Sequence, residues 1–136
     1  MQASVAGRAT LTRWSISIAA VLLFAIGILH AVVNVRWIRR LIAGGEIAER
    51  FGIQMLANAA FGGAMLSLLG AVLLLVAWGR RGGRALWWIG VLVGLFLVAF
   101  GAAGYLLQPV PSVFLFSGLG ALVCVPLLLW GRDGGA

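Results

Sequence analysis

Four apolar runs, at about residues 14–35, 53–77, 85–107 and 113–130, carry no charged side chain; every Arg, Asp and Glu lies in the gaps between them or in the two tails. Such runs leave few folds open. In hydrocarbon a backbone amide finds no water, so a spanning segment must satisfy its own hydrogen bonds, and within one segment only an α-helix does so. About 20 apolar residues at 1.5 Å each cover a hydrocarbon core of roughly 30 Å. The chain is therefore expected to be an all-α polytopic membrane protein, an antiparallel four-helix transmembrane bundle, with residues 1–136 as one domain and both termini on one side.

Composition agrees with that expectation and removes others. Of 136 residues 63% are hydrophobic, against roughly 45–50% in a soluble domain, and no stretch remains for a separate soluble domain of about 50 residues. The ten basic side chains are all Arg, against three acids, a balance that would suit a nucleic-acid binder if it lay on a soluble face. It lies instead in the gaps, where arginine meets lipid headgroups, so no nucleic-acid partner is expected. Cys124 is the lone cysteine and has no partner for an internal disulfide. The first run is longer than the apolar part of a signal peptide and ends without a small-x-small site, so it is expected to stay as a helix.

The gaps have their own logic. Arg36-Trp37-Ile38-Arg39-Arg40-Leu41-Ile42 suits an interfacial extension of the first helix, stopped by Gly44-Gly45. Glu46 and Glu49 suit the opening of the second helix, with Glu46 and Arg50 as an i,i+4 pair. Gly82-Gly83 punctuates the next gap, and Pro109 and Pro111 cannot continue a helix. In a four-span layout Trp14, Trp78, Trp87, Trp88 and Trp130 fall at the terminal side, with Trp37 and Tyr105 at the other, all near span ends where amphipathic rings prefer to sit. Arg8, Arg13, Arg80, Arg81, Arg84 and Arg132 share the terminal side, against Arg36, Arg39, Arg40 and Arg50 opposite. The positive-inside rule then places both termini in the cytoplasm.

Small residues recur one turn apart: Ala59, Gly63, Ser67 and Ala71 in the second run, Gly90 and Gly94 in the third, Ser117 and Ala121 with Gly120 and Cys124 in the fourth. Helices in lipid associate through such close-packing positions. They serve either internal packing or a homo-oligomer interface. Polar side chains collect toward the non-terminal side. His30 and Asn34 are one turn apart in the first run, Gln54 and Asn58 in the second, and Tyr105, Gln108 and Ser112 lie at the ends of the third and fourth. One account is interhelical hydrogen bonding. The other is a small polar ligand-binding cavity with imidazole as its proton-active group.

Catalytic and metal patterns are lacking. One histidine cannot ligate haem on both faces within a chain, no Cys/His set has metal spacing, no run contains an acid for proton coupling, and no nucleophile-base-acid set can be assembled. The layout, with Gly27-Ile28-Leu29-His30 late in the first helix, resembles small four-helix bacterial inner-membrane families of unknown function, and is similar to DoxX-like families in layout. That resemblance implies no activity. The all-Arg, Gly- and Ala-rich usage suggests a GC-rich bacterial genome. The expected role is a non-enzymatic accessory or scaffold protein of the bacterial inner membrane, in contact with the bilayer and with copies of itself or a larger complex. The alternatives are a small-molecule binder or transporter around His30, or a haem- or quinone-associated redox protein.

Overall fold

The computed structural model describes residues 2–79, 83–107 and 114–130, with side chains described over 7–79, 83–107 and 114–129. Within them the chain is helical and contains no strand: α1 is Gln2–Ala43, α2 Glu49–Trp78, α3 Gly83–Leu107 and α4 Phe114–Trp130. Gly7–Ala43, Glu49–Trp78 and Gly83–Leu107 are each long and apolar enough to cross a membrane, while α4 is equally apolar in character but only 17 residues long. The connections at 80–82 and 108–113, with Gly82, Gln108, Pro109, Pro111 and Ser112, lie outside the described residues.

α1 is longer than its apolar run. It begins at Gln2 rather than near Trp14, because the preceding residues are mostly good helix formers, among them Ala6, Arg8, Ala9 and Leu11. The Thr12 hydroxyl donates to the Arg8 carbonyl one turn back (3.0 Å), which satisfies it without leaving the helix. The other end is closed by a Schellman motif. The Gly45 amide donates to the Ile42 carbonyl and the Glu46 amide to the Leu41 carbonyl, each at 3.0 Å, with Gly45 at φ 71°. Only glycine adopts that left-handed conformation without cost. Because the turn uses Glu46, the helical Glu46–Arg50 pair does not form. Glu49 supplies the acid in the first turn of α2, at the positive end of the helix dipole.

The chain divides into two compact units, one of Met1–Val21 with Val72–Ala136, the other Leu22–Ala71. The division falls inside α1 and α2. The first is called the terminal unit here and the second the hairpin unit.

In the terminal unit α3 and α4 meet through glycine. A Cβ on Gly94 would strike the Cys124 sulfur and stand 3.1 Å from the Gly120 carbonyl oxygen; one on Gly120 would stand 2.5 Å from the Gly94 oxygen and 2.7 Å from the Val98 nitrogen. Gly90 instead receives side-chain ends: a Cβ there would stand 2.7 Å from Leu127 Cδ1 and 2.9 Å from Val76 Cγ1. Between the glycines, Ser117 Oγ donates to the Val98 carbonyl (3.1 Å) and Cys124 Sγ to the Val91 carbonyl (3.4 Å). The α4 seam thus alternates steps of three and four, through 117, 120, 124 and 127. Ala121 is one position aside and exposed, so Gly120 rather than Ala121 continues the stripe that Ser117 begins.

Pro126 lies inside α4. Lacking an amide hydrogen, it leaves the Leu122 carbonyl, four residues back, without its helical donor. Ser15 Oγ from α1 donates to that oxygen at 2.6 Å, the kind of repair that permits proline in membrane helices. Nearby, Trp87 Nε1 donates to the Leu127 carbonyl (2.9 Å), one of the last four of α4 that have no partner in the helix. Trp78 Nε1 donates to Ser17 Oγ (2.9 Å), and Trp14 meets Trp78 edge-on at 6.4 Å. The Ser15 repair is measurable. Ser15→Ala should lower stability by about 1 kcal/mol. In a Pro126→Ala background, where residue 126 regains its amide, the same change should have little effect. A double-mutant cycle of unfolding in detergent reads the difference.

Candidate functional site

Of the seven polar residues that collect toward the non-terminal side, four, His30, Asn34, Gln54 and Asn58, belong to the hairpin unit, where the latter half of α1 runs antiparallel to α2. Their positions follow from the seam. A Cβ on Gly27 would strike Ser67 Oγ and lie 2.6 Å from the Gly63 carbonyl oxygen; one on Gly63 would lie 2.6 Å from both the Ala31 Cβ and the Gly27 oxygen. Toward the turn, Gly52 receives the end of the Ile42 side chain. Ser67 Oγ donates to the Phe24 carbonyl at 3.4 Å. Here the two backbones are in contact, so no side chain, and no ligand, fits between them.

His30 stands beside this seam. Asn34 Nδ2, one turn on, donates to His30 Nδ1 at 3.1 Å. An amide nitrogen can only donate, so in this contact Nδ1 is the acceptor and the other ring nitrogen is Nε2. That Nε2 lies 3.6 Å from where a Cβ on Gly62 would stand. The paired glycines Gly62 and Gly63 thus have different neighbours: Gly63 admits Ala31 and the α1 backbone, while Gly62 leaves room for the imidazole. Of the two, only Gly63 was distinguished by one-turn spacing; a glycine pair inside an apolar helix was the signal for the other.

The register sets the level of each group along the hairpin. Gly27 opposes Ser67, Ala31 opposes Gly63 and Ile42 opposes Gly52, so each step along α1 toward the turn is matched by a step back along α2. Continued at that pace, position 58 lies opposite Arg36 and position 54 opposite Arg40. Gln54 and Asn58 are both exposed and share the level of the arginines. His30 lies six residues before Arg36, about 9 Å farther from the turn along the helix axis at 1.5 Å per residue. It is exposed as well, on the flank of the hairpin. The two pairs therefore differ in surroundings: Gln54 and Asn58 are level with charged side chains, whereas His30 and Asn34 are bonded to each other within α1.

Tyr105 belongs to the terminal unit, its ring against Phe114 with centroids 4.2 Å apart, and Gln108 lies outside the described residues. Among the described residues no three His, Cys, Asp or Glu side chains come together, and no buried side-chain nitrogen or oxygen lacks a hydrogen-bond partner.

No known protein family, curated protein or solved structure matches the chain. The Gly27-x-x-His30 element consequently rests on its own geometry: glycine at the closest approach of two helices, and histidine three residues on, at the flank of that contact.

Proposed function

We propose that this chain is a small, non-enzymatic integral protein of the bacterial inner membrane, a four-span helical scaffold or accessory subunit that associates through its outer helix faces. The observation that supports this reading most is the closed hairpin seam. Gly27, Ala31, Gly63 and Ser67 bring the α1 and α2 backbones into contact, and the only imidazole is hydrogen-bonded to its own helix. The small residues serve packing, and among the described residues no three His, Cys, Asp or Glu side chains come together beside them. What the hairpin offers to other molecules is its outside, where Phe61 is 68% exposed and Leu68 56%. In this reading α4, shorter than the other helices but about 25 Å long at 1.5 Å per residue, forms the fourth span, and the six-to-four distribution of arginines supports cytoplasmic termini.

Native mass spectrometry from mild detergent, after crosslinking in the membrane, tests the proposal. The expected species is heavier than the 14.3 kDa chain and contains a second copy or a distinct subunit, and Phe61→Ala with Leu68→Ala should reduce its share. A monomer alone, both with and without crosslinking, contradicts it.

A further inference from the structure

Leu29, Val33, Arg36 and Arg40 recur at steps of four, three and four, and so lie on one face of α1. That face is opposite the seam residues Gly27 and Ala31 and the buried Ile38. Leu29 is 60% exposed and Val33 58%, and both arginines are exposed. An open apolar strip thus leads up to two guanidinium groups one turn apart, about 6 Å along the axis. No acid follows Arg36 until Glu46, beyond the turn, and among the described residues no carboxylate is paired with either arginine. Trp37 is 53% exposed beside them, an indole of the kind that settles at headgroup depth.

We propose that this face seats one anionic phospholipid, with its phosphate held between Arg36 and Arg40 and an acyl chain along Val33 and Leu29. The charge pattern selects this occupant. Guanidinium groups bind phosphate oxygens through paired, charge-assisted hydrogen bonds, and the strip below matches a hydrocarbon tail in both direction and polarity. A second copy is disfavoured on the same face, because two chains related by an axis along the membrane normal would oppose arginine to arginine at one level. The proposal rests on the reading of this chain as an integral membrane protein.

The full-length protein in lipid nanodiscs provides the test, with phosphatidylcholine alone compared with phosphatidylcholine containing phosphatidylglycerol. Phosphatidylglycerol should raise the Tm by roughly 4 °C and remain bound, one per chain, in native mass spectrometry. Arg36→Gln with Arg40→Gln should abolish both effects and Arg40→Gln alone should weaken them, while Arg8→Gln with Arg13→Gln, an equal loss of charge, should leave them intact. Equal stability in the two lipids, equal loss in the two double variants, or the same shift from soluble glycerol phosphate would each overturn the site. A chain that does not enter the phosphatidylcholine discs contradicts the membrane reading itself.

Discussion

Replacing Gly63 by alanine should destabilise the protein by about 1–3 kcal/mol, the usual cost of overfilling a packed site, whereas the same replacement at Gly62, one residue earlier, should be neutral or stabilising. In an exposed helix alanine exceeds glycine by up to about 1 kcal/mol, so helix propensity alone predicts a gain at both positions. Packing separates them. At Gly63 the new methyl would stand 2.6 Å from the Ala31 Cβ and 3.0 Å from its nitrogen, and neither atom can move without displacing α1. At Gly62 the nearest atom is His30 Nε2 at 3.6 Å, an ordinary contact. Gly27→Ala should resemble Gly63→Ala, since its methyl would meet the backbone of Gly63 and Ser67. The two together should cost less than their sum, because one separation of the helices relieves both clashes. Reversible unfolding in detergent with circular dichroism measures each difference.

The helical class was legible because every charge lies outside the apolar runs, and the stop of α1 was legible because Gly44-Gly45 follows a run of arginine and isoleucine. The start of α1 was not. Residues 2–13 lack apolar periodicity, and their helicity comes from propensity and continuity with the segment that follows. The place of Ala121 was equally hidden, since spacing by four cannot say whether a seam will take the next step as three. Pro126 and Ser15 are informative only together: proline marks a freed carbonyl at Leu122, but the donor is 107 positions away along the chain, and only the fold brings it there. For the polar residues the sequence located both pairs near one end of their helices, yet it lacked the register of α1 on α2. That register separates His30, about 9 Å from Arg36 along α1, from Gln54 and Asn58 at the arginine level.

This separation is the central claim about the site, because a water-filled polar cavity would join the two pairs and a closed hairpin keeps them apart. Single cysteines introduced at positions 30, 54 and 58, in a Cys124→Ser background that keeps a donor toward the Val91 carbonyl, report it directly. A water-soluble maleimide needs both water and a thiolate, neither of which is available in hydrocarbon. The protein in lipid nanodiscs should therefore label readily at Gln54→Cys and Asn58→Cys, and slower by roughly tenfold or more at His30→Cys. Labelling of His30→Cys at the rate of the other two would contradict the account and place His30 in an open aqueous cavity.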